Sequence, residues 1–199
     1  MKEYNIGKMQ LQLKKHLDVE RFNHTLGVMY TSAALAMCYK ADIKKAQAAG
    51  LLHDCAKRIP DDKMISMCRK QNIRINEYEK ANPFLLHAKL GAFMAKEQYD
   101  IHDKEILSAI RYHTTGRPEM TLLEKIVYIA DYIEPWRYKA GNLPEIRNLA
   151  FWDIDKALYM ILKNTLIYLQ KHNRIVDDMT EKAYNYYKEL NSNRITDIK

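Results

Sequence analysis

The sequence predicts an all-α protein, a single helical bundle without a sheet. Three observations carry that expectation. Apolar residues recur at three- and four-residue spacing over most of the chain, the repeat of a helix with one buried face. Alternation of the kind that builds half-buried strands is scarce. Only 6 Gly and 5 Pro interrupt 199 residues, too few for a protein made of many short strands and turns.

In chain order, Met9, Leu11, Leu13 and Leu17 lie among lysines and suggest a short amphipathic helix over about 3–17. Asp18 is placed to cap a longer helix reaching Tyr39, with Phe22, Leu26, Met29, Ala33, Ala36 and Met37 as its apolar positions. A third helix opens at Ala41-Asp42 and runs into Leu51-Leu52-His53-Asp54-Cys55-Ala56-Lys57. Asp61, after Pro60, is expected to cap a polar helix to about Gln71, and 72–82 reads as loop. Pro83 suits the first turn of the helix that carries His87, and Gly91-Ala92 suggests close packing beyond it. Asp103 caps the next helix, which stops at His113-Thr114-Thr115-Gly116. Thr121 and Glu124 form a capping box before the very apolar run Ile126 to Asp131, ended by Glu134-Pro135. Asp153 starts a helix to about His172 with Leu158, Ile161, Leu162, Leu166 and Leu169 buried, and a tyrosine-rich helix spans about 180–191. The tyrosines Tyr184, Tyr186 and Tyr187 read as packing, as do Tyr128 and Tyr132.

The length fits one domain, with a core over about 18–135 and C-terminal helices over about 142–192 packed on it. Hydrophobic residues at 47% and charged residues at 29% exclude a disordered chain. The longest apolar stretch, Ala33 to Tyr39, is too short to span a bilayer, and the N-terminus lacks the layout of a signal peptide. Cys38, Cys55 and Cys68 have no metal-like spacing and read as reduced thiols, so a cytoplasmic protein is expected. The net charge of +7 admits nucleic acid, an anionic membrane surface or a polyphosphate, but no basic run resembles a nucleic-acid arm.

Six residues fit awkwardly into a core: His24, the His53-Asp54 pair, His87, His113 and Asp131. Each sits in apolar surroundings on a separate expected helix or at its end, whereas His16, His102 and His172 lie in polar stretches. Singly, each has a plain reading: a buried histidine satisfied by a neighbour, a helix-end dipole partner, or for Asp131 a partly wet helix end. Together, four imidazoles and two carboxylates match the inventory for two cations, with Asp54 as a plausible bridge. Nitrogen and oxygen ligands without thiolate suit iron, manganese, cobalt or zinc.

The order H…HD…D, carried by His24, His53-Asp54 and Asp131, resembles the HD-domain phosphohydrolases. Longer words resemble the YqeK-type branch, the bacterial symmetrical diadenosine tetraphosphate hydrolases with a di-iron centre. These are Arg21-x-x-His24-Thr25-Leu26-Gly27-Val28, Ala49-Gly50-Leu51-Leu52-His53-Asp54-x-Ala56-Lys57, Leu86-His87, Ala109 to Arg117, and Ile126 to Pro135 followed by x-Arg137. The likeness is loosest from Tyr138 to Pro144, where the family's Phe-Pro-Gly run is absent. It implies one metal held by His24, His53, Asp54 and Asp131, a second by His87 and His113, and Asp54 shared. It also implies two ions, iron first, with Asp54 and Lys57 catalytic. Arg21, Lys57, Thr114 and Arg137 would contact polyphosphate, and the turn at 173–176, with Arg174 and Ile175, would lie near a nucleoside. The competing readings are surface salt bridges for the arginines, a helix-end charge for Lys57 and a turn role for Thr114.

The implied reaction is attack of a metal-activated hydroxide on an inner phosphorus of a dinucleoside tetraphosphate, giving two nucleoside diphosphates. The implied partner is a small nucleotide; neither nucleic acid nor membrane is required, and a homodimer is allowed. The rivals are an HD phosphohydrolase acting on another nucleotide, a nucleotide-sensing or ribosome-associated binding protein, and a purely structural bundle. The chain has no GxxxxGK[ST] phosphate loop.

Overall fold

The computed structural model describes residues 4–138 and 140–196, and within them the regular structure is helical, with no strand. The helices are α1 (Ile6–Lys14), α2 (Val19–Cys38), α3 (Ile43–Leu52), α4 (Asp61–Lys70), α5 (Glu77–Ala81), α6 (Leu86–Tyr99), α7 (Lys104–Tyr112), α8 (Leu122–Ile133), α9 (Leu143–Leu149), α10 (Ile154–Lys171) and α11 (Asp178–Thr196). A 3-10 turn, Pro83–Leu85, leads into α6.

Short polar side chains set the helix starts. Asp18, Asp42, Asp103, Thr121 and Asp153 each accept a hydrogen bond from a backbone N–H in the first turn that follows. Thr121 and Glu124 complete the expected capping box. Asp61 departs from expectation. It is the first helical residue, because Pro60, extended at ψ 147°, takes the cap position and offers no side-chain bond. Two further segments are more ordered than the sequence suggested. Within 72–82, Asn76 and Glu79 form a capping box that starts α5, and Leu143-Pro144 opens α9.

Helix α2 packs along α3, and with α7 and α8 they enclose the main core, to which α10 and α11 add Leu158, Ile161, Leu162 and Tyr187. A smaller cluster, Ala56, Met64, Cys68, Leu86 and Leu90, joins α4 to α6. Leu166 and Leu169 are only partly buried, and Met37 is 61% exposed, so both stripes are shorter than their spacing suggested. On α11, Tyr187 is fully buried and its hydroxyl accepts the Met120 N–H, while Tyr184 stacks on Tyr159, the expected packing role. No helix is long and apolar enough to cross a membrane among the described residues.

The seam between α2 and α3 fixes where His24 meets His53, and it depends on Gly50. A Cβ there would stand 2.7 Å from Ser32 Oγ, 3.1 Å from Met29 Cα and 3.1 Å from Val28 O. Two of those atoms are backbone and cannot rotate away. Gly50→Ala should therefore destabilise the protein by about 2 kcal/mol, despite alanine's helix preference of about 1 kcal/mol, because overpacking costs about 1–3 kcal/mol. A denaturant titration showing equal or higher stability would contradict this close-approach account.

Candidate metal centre

Helix α3 ends at Leu52, and the chain continues in successive tight turns, with N–H groups of Cys55, Lys57 and Ile59 bonded three residues back. This tightening keeps Asp54 and Lys57 on one side, Nζ lying 3.8 Å from Oδ1. At the end of α7, Gly116 adopts the left-handed φ of +65° and its N–H closes onto Tyr112 O, a turn that brings Thr114 back over the helix end. His87 follows directly from the turn opened by Pro83.

Three of the four inward imidazoles are oriented by the same local device. His53, His87 and His113 each place Nδ1 against the carbonyl three residues earlier, on Gly50 (2.7 Å), Phe84 (2.5 Å) and Ile110 (2.7 Å). A carbonyl only accepts, so each Nδ1 carries the proton and each Nε2 presents a bare lone pair. His24 reaches the same state through a carboxylate, its Nδ1 lying 3.1 Å from Glu134 Oε1. Glu134, 2% exposed, also accepts the Trp136 backbone N–H at 2.7 Å.

The four bare nitrogens converge on two carboxylates. His24 Nε2 is 3.1 Å and His53 Nε2 3.9 Å from Asp131 Oδ1, and His53 Nε2 is 3.6 Å from Asp54 Oδ2. Asp54 Oδ1 faces the other way, 3.2 Å from His87 Nε2 and 3.4 Å from His113 Nε2. Ligand atoms of His24, His53 and Asp131 lie within 4.8 Å of one another, as do those of His53, Asp54 and His113.

These residues fit cations. His24 Nε2, His53 Nε2 and Asp54 Oδ1 are buried without a hydrogen-bond partner, an arrangement that is costly unless something else satisfies them. His87 and His113 set their Nε2 atoms 3.2 Å apart with both protons elsewhere, so two lone pairs face each other. Two ligand atoms each about 2.1 Å from one ion stand about 3.0–3.4 Å apart, so a shared cation would turn that repulsion into coordination.

The protonation states of His53 and His87 agree. Burial pushes His53 down to about 4 and also lowers His87, keeping both neutral. Burial opposes ionisation of Asp54 and Asp131, yet both stay well below the usual carboxylate range. The imidazoles of His53, His113 and His87 packed around it, with Lys57, hold Asp54 there; His24, His53 and Arg137 do so for Asp131. His24 alone is raised, because Asp131 and Glu134 together overcome its burial, so a cation at its Nε2 would have to displace a proton held by Asp131.

Arg21 and Arg137 reach the centre through its carboxylates. Arg21 Nη1 donates to Asp54 Oδ2 at 2.9 Å, and Arg137 Nη2 donates to Asp131 Oδ1 at 2.8 Å and to its carbonyl at 2.9 Å. Lys57 Nζ is 3.0 Å from His87 Nε2, and Thr114 Oγ1 is 3.3 Å from His87 Nε2 and 3.1 Å from His113 Nε2. Beside the centre opens a cleft of about 630 Å³, with the cations Arg21, Lys57, Arg58 and Arg137, the carboxylates Asp18, Glu20 and Glu134, and the aromatic rings of Trp136 and Tyr138 on its walls. Asp18 pairs with Arg58 and Glu134 holds His24, so Arg21, Lys57 and Arg137 dominate the inner wall.

Arg174 and Ile175 lie exposed on the turn after α10, where Arg174 sits over the Tyr168 ring; neither lines this cleft. His16, His102 and His172 are exposed. Two residues with a part in the centre were not singled out from the sequence. Glu134, three residues after Asp131 at a helix end, was legible only as a helix terminator. Arg147 on α9 donates to the carbonyls of Ile133, Glu134 and Arg137, tying down the segment that carries them, and only the fold reveals it.

An all-helical bundle that gathers four imidazoles and two carboxylates beneath a basic cleft defines a class of protein, the helical metal-dependent hydrolases. The HD domain model matches residues 21–136, more than half of the chain, and the chain belongs to the HD-domain family. It is 42% identical to a symmetrical bis(5'-nucleosyl)-tetraphosphatase of Bacillus subtilis, over 87% of this chain and 92% of that protein. A protein of the same name from Staphylococcus aureus is 38% identical, over 92% and 94%. Among solved structures, a "predicted HD superfamily hydrolase involved in NAD metabolism" from Clostridium acetobutylicum superposes with a TM-score of 0.90 at 40% identity, covering 94% of this chain and 99% of that one.

Proposed function

We propose that this chain is a symmetrical bis(5'-nucleosyl)-tetraphosphatase that cleaves diadenosine tetraphosphate to two molecules of ADP in the cytoplasm. The observation that carries the reading is the convergence of four bare imidazole nitrogens on the two faces of Asp54 and on Asp131, beneath a basic cleft. The names of the relatives, matched over nearly their whole length, supply the substrate.

In this reading His24, His53, Asp131 and Asp54 hold one ion and His87, His113 and Asp54 the other, with iron first and manganese, cobalt or zinc as alternatives. Bound cations supply a water acidic enough to attack phosphorus at neutral pH and offset charge on the phosphoryl oxygens. The chain's own residues do the rest. Asp54 turns one oxygen to each ligand group and so sets their separation. Lys57, a point charge between Asp54 and His87, faces charge that develops on the phosphate during attack. Arg21 and Arg137, each anchored through one nitrogen to a ligand carboxylate, offer their remaining N–H groups to the polyphosphate. Thr114 can donate to a phosphate oxygen beside His87 and His113. Water adds to an inner phosphorus, the central P–O–P bond breaks, and the departing half leaves as ADP.

Product analysis tests this. Iron-loaded protein incubated anaerobically with diadenosine tetraphosphate should release ADP as the sole nucleotide product. ATP with AMP would place the attack on a different phosphorus. Absence of turnover with metal bound would overturn the substrate assignment and favour another phosphorylated nucleotide.

A further inference from the structure

A dinucleoside tetraphosphate has two bases, and a symmetric cut leaves each half bearing one, so the cleft must receive a base as well as phosphates. Trp136 is placed for this. It directly precedes Arg137, which is bonded to Asp131, and it is 56% exposed on the wall of the cleft shared with Arg21 and Lys57. Its indole is thus offered to the basic cleft from a main chain that is held in place. Its backbone N–H is bonded to Glu134, and the benzo edge of the ring rests against Gly27, where a Cβ would come within 2.6 Å of Glu134 Oε2, 2.9 Å of Trp136 Cε3 and 3.1 Å of Trp136 Cζ3. Glycine at that position therefore leaves room for both the Glu134 carboxylate and the indole, and Trp136 stays more than half exposed. An anchored indole beside guanidinium groups is the combination that takes a base by stacking while its phosphates are held by charge.

Resting on the proposed hydrolase reading, we infer that Trp136 is the stacking platform for one nucleobase of the substrate, the half whose phosphates pass Arg137. Stacking recognises a π-face rather than a base edge, so this position favours purines over pyrimidines by area and discriminates little between adenine and guanine. The base is remote from the bond that breaks, so the contact is the same in ground and transition states and governs KM more than kcat.

Two measurements decide it. Trp136→Ala in the metal-loaded enzyme should raise KM for diadenosine tetraphosphate about ten- to a hundredfold, the fold-change of one stacked base, with kcat altered by less than about threefold. Trp136→Phe should recover most of the loss. The alanine variant keeps the backbone N–H to Glu134, so the support of His24 survives, and circular dichroism checks the fold. An unchanged KM in a folded Trp136→Ala protein would overturn the inference, as would a fall confined to kcat.

The second measurement does not depend on turnover. The chain has two tryptophans, and the other, Trp152, is 82% exposed and lies outside the cleft. In a Trp152→Phe protein, fluorescence from Trp136 should be quenched by ADP and GDP but not by inorganic pyrophosphate. Equal quenching by pyrophosphate, or none by ADP, would overturn the inference. If wild-type protein fails to cleave diadenosine tetraphosphate while ADP still quenches Trp136, the substrate assignment falls and the base platform stands.

Discussion

Asp54→Ala should reduce the hydrolysis of diadenosine tetraphosphate by more than about a thousandfold and leave the protein unable to retain its full metal complement. The expectation follows from the two-sided use of one carboxylate: Oδ2 faces His53 and Arg21, and Oδ1 faces His87, His113 and Lys57. In the proposed assignment Asp54 serves both ions, so its loss would remove negative charge from the whole centre. The fold should survive. Arg21, the cation paired with Asp54 at 2.9 Å, is 35% exposed at its side chain and can turn to water, so no buried arginine is stranded. Elemental analysis beside an ADP-release assay checks both halves. An Asp54→Ala protein with full metal and undiminished turnover would remove the metal assignment.

The next largest effect is expected at a residue that is not itself a ligand. Glu134→Ala should weaken metal binding about ten- to a hundredfold, the usual consequence of removing the acceptor behind a ligating imidazole. Glu134 fixes the His24 tautomer through Nδ1 and steadies the following turn through the Trp136 N–H. Without it, His24 can carry its proton on Nε2, the nitrogen that must be bare. Glu134→Gln should fall between wild type and alanine, because an amide oxygen can still accept from His24 but its NH2 group then meets the Trp136 N–H, donor against donor. Competition against a graded series of chelators measures the affinity. Identical metal retention in Glu134→Ala and wild type would show that packing alone orients His24.

Much of the fold was legible because its signals are local. Aspartate and threonine caps announce α2, α3, α7, α8 and α10, since a short oxygen-bearing side chain can satisfy a first-turn N–H with no help from the rest of the chain. The capping box at Asn76 and Glu79 was equally local and would have placed α5. Asp61 misled because a proline stands before it, and the cap falls on Pro60. Met37 shows the limit of periodicity, which marks a face as apolar but not how far a neighbouring helix extends over it.

By itself the sequence determined most of the helices, the inventory of imidazoles and carboxylates, and the resemblance that groups them. Those are properties of residue type and near-neighbour spacing. Only the tertiary structure decided that His24, His53, Asp54, His87, His113 and Asp131 share one small volume, that Glu134 stands behind His24, and that Arg147 on α9 holds the segment carrying Glu134 and Arg137. Those contacts join residues far apart in the chain, Asp54 to His113 and His24 to Asp131. They exist because α2, α3, α7 and α8 bury a common apolar core and bring their polar ends to one place.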